Sequence, residues 1–277
     1  MASSFERNDR KRPQREGFSP HGRGRPGNYK SQPDKDGSEW LWGWHAVIAA
    51  LANPARPAPK KLLATADRAK ALLEQFGALP LLQIVEGQAI ANQLPPGASH
   101  QGVAIKTPPI ESLTIDELGD SSAGFLLMLD QVTDPQNVGA IFRSAAAFGA
   151  GGVILQDRHA PALVGALAKA AAGAIDAIPH ARVTNLSRAL EQLAEMGWRA
   201  VGLDGAAGGT LAEVLDERPT VLVLGSEGEG LRRLVAEHCD ALGRIPMPGG
   251  FESLNVSNAA AVALYEISTR RAAPSAQ

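Results

Sequence analysis

From Phe125 onward, short apolar runs alternate with helical stretches, and this pattern restricts the fold more than any other feature. The runs are FLLMLD (125–130), GVIL (152–155), DAIP (176–179), RAVGLD (199–204), TVLVLG (220–225) and ALGRIP (241–246). Brief, nearly continuous apolar runs are expected of strands buried on both faces. The spacing between them predicts helices over 135–149, 162–172, 185–196, 230–237 and 256–271. Strands that alternate with helices are joined by crossovers. The expected fold class is therefore α/β, a mostly parallel sheet covered on both faces.

The remainder of the chain is organised differently. With 277 residues, 44% of them apolar, there is material for one large or two modest cores. Residues 1–30 carry eight Lys/Arg against three acids, whereas the whole chain has a net charge of −2. Residues 1–38 offer almost nothing to bury and read as a disordered basic tail, either a solvated segment or a non-specific phosphate-binding arm. Order should begin near Trp40. WLWGWHAVIAALANP predicts a short strand and a helix closed at Asn53-Pro54. LLATA (62–66) and LLQIV (81–85) predict strands around a helix near 67–76, and GVAIKTPP (102–109) a strand stopped by two prolines. These divide the chain into a tail (1–38), a small α/β unit (39–109), a linker (110–123) and the large α/β domain (124–273).

Trp40, Trp42 and Trp44 alternate, which places them on one strand face, for core packing or for base stacking. His45 and His100 are open between a structural role and RNA contact. The one cysteine, Cys239, excludes an internal disulfide and a cysteine-based metal cluster, so no metal site is expected. No apolar run reaches the length of a membrane span and the N-terminus lacks a secretory apolar core, which leads to an expected cytoplasmic location.

Three segments carry polar residues where chemistry can be built. In LDQVTDPQNVGAIFRSAAAFGA (129–150), Asp134 can cap a helix with Pro135 in its first position. Val138, Ile141, Phe142, Ala145 and Phe148 share one face of that helix, and Arg143 lies roughly opposite. Mid-helix Gly139 costs about 1 kcal/mol relative to Ala, which implies a close approach there. Arg143 is either a solvated surface residue or a bidentate phosphate fork above small neighbours. Asn137 either bonds locally at the helix start or takes part in a site.

In VLVLGSEGEGLRRLV (221–235), a buried strand runs into Gly225-Ser226-Glu227-Gly228-Glu229-Gly230. The order G-x-x-G-x-G is not the dinucleotide fingerprint, which argues against a nucleotide oxidoreductase. The acids argue against a phosphate cradle. Glu227 is either solvated or orients a ligand or another side chain. In GRIPMPGGFESLNVSNAAAVALYE (243–266), a stiff Pro/Gly loop precedes an Ala-rich helix, with Asn255 either its N-cap or a ligand contact.

Taken in order, these segments resemble the three motifs of the SpoU/TrmH family, in the SPOUT superfamily of RNA methyltransferases. Asn137-Val138-Gly139 through Arg143 matches the first motif and Leu224 through Gly230 the second. Ile245-Pro246-Met247 through Ser257 matches the third. GWHAV (43–47) and SHQGVAI (99–105) are similar to the family's ribosomal-protein-like substrate-binding domain. The nearest likeness is to the branch that methylates a guanosine 2'-hydroxyl of 23S rRNA. The basic tail departs from its compact members.

The resemblance implies a mostly parallel α/β SPOUT domain with a deep trefoil knot at its C-terminal end. It implies a homodimer with the active site near the dimer interface, S-adenosyl-L-methionine as methyl donor, and RNA, 23S rRNA by this likeness, as substrate. It assigns Asn137, Arg143, Glu227 and Asn255 to the reaction centre, and Gly225, Ile245, Met247 and Leu254 to cofactor contact. A tRNA guanosine substrate and a non-catalytic RNA-binding module remain as alternatives.

Overall fold

The computed structural model describes residues 37–249 and 253–272. Almost all of the basic tail therefore lies outside the described residues. Two sheets organise the chain. The first contains β1 (Glu39–Trp42), β2 (Lys61–Ala64), β3 (Leu82–Ile84) and β4 (Val103–Thr107) in the order β1-β4-β2-β3. β4 runs antiparallel to both β1 and β2, and β3 runs parallel to β2. Helices α1 (Trp44–Ala52), α2 (Ala66–Phe76) and α3 (Gly87–Ala91) connect these strands.

The tryptophans do not share one strand. Gly43, at φ +94°, turns the chain out of β1, and Trp44 becomes the first residue of α1. Trp42 is buried in the core of this sheet, while the Arg68 guanidinium sits 4.7 Å from the centre of the Trp44 ring.

The stretch 110–123 holds a helix of its own, α4 (Ile115–Gly119). Thr114 and Glu117 form a capping box at its start, Glu117 N donating to Thr114 Oγ1 at 3.2 Å and Thr114 N to Glu117 Oε2 at 2.8 Å. Ile115 and Leu118 are buried below the second sheet.

That sheet is built from β5 (Phe125–Leu129), β6 (Val153–Gln156), β7 (His180–Val183), β8 (Arg199–Leu203), β9 (Gly209–Thr210), β10 (Thr220–Leu224) and β11 (Ala241–Arg244). Their order is β7-β6-β5-β10-β8-β11-β9, and every pairing is parallel. The intervening helices are α5 (Pro135–Phe148), α6 (Gly165–Ala170), α7 (Ala174–Ala177), α8 (Leu186–Glu195), α9 (Leu211–Val214) and α10 (Arg233–Glu237), with α11 (Val256–Ala272) last. β5 and β10 are buried along their whole length, as an internal parallel strand must be. The short β9 and α9 carry too few apolar residues to stand out in the sequence.

DAIP (176–179) is not a strand. Ala174–Ala177 is a helical turn entered through Gly173 at φ +94°, and the strand follows at His180. The reason is Asp176, whose carboxylate is engaged inside the protein. Arg56 donates to it twice, Nε to Oδ1 at 2.6 Å and Nη2 to Oδ2 at 3.0 Å, and Asn53 Nδ2 donates at 3.2 Å. The two charged side chains are 3% and 4% exposed. This pair joins the first sheet's unit to the second. Removing one partner of such a buried pair costs about 3–5 kcal/mol, because the other charge is left without compensation. Close by, burial and the charges of Arg182 and Arg56 push the His180 pKa down to about 4, so its ring is neutral at pH 7.

Asp134 caps α5 as expected, its Oδ2 accepting from Asn137 N at 3.1 Å with Pro135 at N1. Val138, Ile141, Phe142 and Ala145 are fully buried against α11 and the sheet. Gly139 does meet a close neighbour, and that neighbour is helix α6. A Cβ there would lie 2.6 Å from both Leu167 O and Ala170 Cβ. Helix propensity alone favours Gly139→Ala by about 1 kcal/mol. The clash is with backbone, and overpacking costs about 1–3 kcal/mol. Gly139→Ala is therefore expected to lower the midpoint of thermal unfolding; an unchanged or raised midpoint would show that α5 and α6 separate freely.

Candidate functional site

In the second sheet, the chain leaves β5 toward β6 on one side and leaves β10 toward β11 on the other. Neighbouring strands whose connections diverge open a crevice at their carboxyl ends, where α/β sheets bind ligands. β5 and β10 are that pair, with Leu129 level with Leu224. Asn137 follows β5, Glu227 follows β10 and Asn255 precedes α11, and all three converge there.

Their contacts form a closed triangle. Asn137 Nδ2 donates to Glu227 Oε1 at 3.1 Å, Asn255 Nδ2 to the same oxygen at 2.5 Å, and Asn255 Nδ2 to Asn137 Oδ1 at 3.0 Å. Val256 N is a further donor to Glu227 Oε1 at 3.2 Å. Asn255 Oδ1 is also the N-cap of α11, accepting from Ser257 N at 3.0 Å and Ser257 Oγ at 2.6 Å. Asn255 is thus the N-cap of α11 through its oxygen, while its amide nitrogen joins the triangle.

A cavity of about 540 Å³ lies beside the triangle, outside the carboxyl ends of β8, β10 and β11. Gly225, Ile245, Met247 and Leu254 line it, as does Glu227. The Gly225–Gly230 loop folds on itself, Ser226 N donating to Gly230 O at 3.1 Å and Gly230 N to Ser226 O at 3.0 Å. A side chain at Gly225 would overlap the Gly230 backbone, so this glycine is required by the loop itself. The sequence reading missed the opposite wall, Leu203 to Ala206. Its one signal was a buried strand ending in Asp204-Gly205, the same strand-to-loop pattern seen after β10. Arg244 holds that wall, Nη1 donating to Ala207 O at 2.7 Å.

Arg143 stands apart from this group. It is exposed on α5, six residues beyond Asn137, and makes no hydrogen bond or ion pair among the described residues. Another missed residue is Asp130, fully buried at the end of β5. It accepts from Arg232 N at 2.9 Å and Arg232 Nε at 2.7 Å, fastening the far end of the Glu227 loop. Cys239 is inert: burial pushes its thiol pKa up to about 12.

The cavity volume falls in the range of small-ligand sites. Among the described residues its lining holds no Lys or Arg but includes Asp204, Glu227 and Glu229 among apolar side chains and glycine backbone. Such a lining repels phosphates and accepts a cationic ligand with an apolar or aromatic body.

A model of the SpoU rRNA Methylase family matches residues 124–265, half of the chain, and the chain belongs to that family. It is 45% identical over 177 residues to an uncharacterized tRNA/rRNA methyltransferase of Mycolicibacterium gilvum. That match spans 62% of this chain and 56% of the relative, little more than half the relative's length. Among solved structures, the SpoU methyltransferase AviRb of Streptomyces viridochromogenes in complex with AdoMet superposes with a TM-score of 0.70 at 25% identity, covering 86% of this chain and 91% of that one. An AdoMet-bound rRNA methyltransferase from Sinorhizobium meliloti gives 0.69 at 27% identity, covering 86% and 88%. No helix among the described residues is long and apolar enough to cross a membrane.

The triangle yields a pH test. Asn255→Asp keeps an oxygen for the α11 cap but sets a carboxylate against Glu227, and two carboxylates in contact cannot both ionise cheaply. The variant should melt below the wild type at pH 8 by an amount worth about 1 kcal/mol, and the gap should close toward pH 5. Asn255→Ser should show no such pH trend; identical trends would mean that the triangle is not formed in solution.

Proposed function

We propose that this chain is an S-adenosylmethionine-dependent RNA 2'-O-ribose methyltransferase acting on a guanosine of 23S rRNA. The observation that carries the proposal is the Asn137–Glu227–Asn255 triangle at the rim of a cavity that suits a cation and not a phosphate. The AdoMet-bound relatives of the same fold support the choice of cofactor. The curated relatives, named for both tRNA and rRNA, make a tRNA guanosine the second substrate to test.

Gly225, Ile245, Met247 and Leu254 hold the cofactor, the glycine through its backbone and the others through apolar contact. Bound there, S-adenosylmethionine supplies a methyl group activated by an adjacent sulfonium. The chain's own task is to bring a ribose hydroxyl into line with that methyl, and alignment alone accelerates such a step by several kcal/mol. Glu227 Oε1 is occupied by three donors, which leaves Oε2 to accept from the ribose hydroxyl. Asn137 and Asn255 fix the carboxylate in that orientation. Arg143 binds the phosphate next to the target ribose, where its charge eases passage of the hydroxyl proton to water as the ribose oxygen takes the methyl.

The active unit is a homodimer that pairs through α5 and α11, where Val262 and Tyr265 are exposed and Tyr265 meets Phe148 edge-on. A single rounded species of monomer mass in sedimentation at micromolar concentration would refute this. The C-terminal part forms a trefoil knot. The strand order supports it, since β10 inserts between β5 and β8, and β11 between β8 and β9. The first sheet is the RNA-holding unit, with Arg68 stacked on Trp44 at its surface.

The test is methyl transfer from labelled S-adenosylmethionine to total RNA of a strain lacking the gene, followed by mapping of the methylated ribose. Transfer to a 23S rRNA guanosine is expected; transfer to tRNA selects the second substrate, and no transfer refutes the enzyme. Arg143→Lys should lower kcat about 100-fold with cofactor affinity unchanged, as expected on losing a bidentate phosphate contact. Near-full activity would remove that role.

A further inference from the structure

The wall of the cavity opposite the Glu227 loop holds an acid that neither the triangle nor the apolar lining explains. Asp204 is the first residue after β8. Leu203 before it is level with Leu224 of β10 on one side and with Gly243 of β11 on the other. Asp204 therefore stands level with Gly225, and it lines the cavity together with Gly205 and Ala206.

The turn that carries it is already built. Asp204 N donates to Gly243 O at 3.1 Å, and Ala207 N donates to Asp204 O at 3.1 Å. Asp204 Oδ1 accepts from Ala206 N at 2.8 Å. Arg244 Nη1 closes the turn, donating to Ala207 O at 2.7 Å and to Gly208 O. One carboxylate oxygen is thus used by the turn. The other has no hydrogen-bond partner among the described residues and is open to solvent.

Place and charge narrow the group that this oxygen meets. A methyl passed to a hydroxyl held at Glu227 puts the cationic end of the donor beside Glu227 and Glu229, neither of which pairs with a cation among the described residues. Arg244 brings a positive charge to the same turn as Asp204. That carboxylate is partly compensated already and calls for a neutral donor rather than a second cation. Hydroxyls supply such donors, and acids in other open α/β sheets meet the ribose hydroxyls of a nucleotide cofactor in this way. We infer that Asp204 is a binding residue that accepts from the ribose hydroxyls of the methyl donor and selects for an intact nucleoside. This rests on the methyltransferase reading above.

Calorimetry with S-adenosylhomocysteine, which keeps the nucleoside and has no methyl to transfer, tests binding apart from activity. The wild type should bind either the 2'-deoxy or the 3'-deoxy analogue about 10-fold more weakly, as expected on losing a hydrogen bond to a charged group. Asp204→Ser keeps an oxygen for Ala206 N and removes the second one. It should bind S-adenosylhomocysteine about 10-fold more weakly and show no preference for the hydroxyl. Should Asp204→Ser melt well below the wild type without ligand, Asp204→Asn decides, since it keeps the whole turn; it too should bind about 10-fold more weakly. An analogue without the α-amino group should lose the same factor with wild type and variant. A wild type indifferent to both hydroxyls, a variant that keeps the ribose preference, or one that instead loses discrimination against the deaminated analogue would overturn the assignment. No binding of S-adenosylhomocysteine by the wild type would overturn the cofactor reading itself, so the two failures are distinct.

Discussion

One carboxylate oxygen, Glu227 Oε1, gathers donors from segments that are far apart in the chain. Asn137 lies 90 residues away, Asn255 and Val256 lie 28 and 29. Charge-assisted hydrogen bonds are about twice as strong as neutral ones, so three on one oxygen hold the start of α5, the loop after β10 and the start of α11 as a unit. The same loop is fastened at its other end by Asp130 and Arg232. Clamped at both ends, it forms a fixed wall of the cavity. Glu227 and Val256 both belong to the clamp and line the cavity.

The strands of the second sheet were legible because parallel strands buried on both faces leave uninterrupted apolar runs. β5, β6, β8, β10 and β11 fall within a residue or two of the runs that marked them. The failures have local causes. DAIP carries an adjacent apolar pair, Ala177-Ile178, but Asp176 is bound by Arg56, and no sequence pattern reveals a carboxylate paired with a residue 120 positions earlier. Trp44 alternates with Trp42 on paper, but Gly43 at positive φ ends the strand between them. α4 was hidden because the helix that follows its capping residue is only five residues long.

At the site, motif residues were legible and their partners were not. Asn137, Glu227 and Asn255 stood out by residue type in unusual loops, and the fold brings them within hydrogen-bond reach. Asp130 looked like an ordinary strand end. What distinguishes it is burial with a tethered arginine, a tertiary fact. Gly139 shows the reverse: the sequence signalled a close approach, and only the packing of α6 identified the neighbour.

The joint between Arg56 and Asp176 bears on how a substrate is chosen. A buried, doubly hydrogen-bonded pair is not a hinge, and it ties the turn after α1 to the short helix before β7. Two surfaces connected by a joint of this kind lie at a fixed spacing. A ligand that touches both surfaces must present its two contact points at that spacing. Selection by shape is then set in the protein interior, at a pair that does not line the cavity.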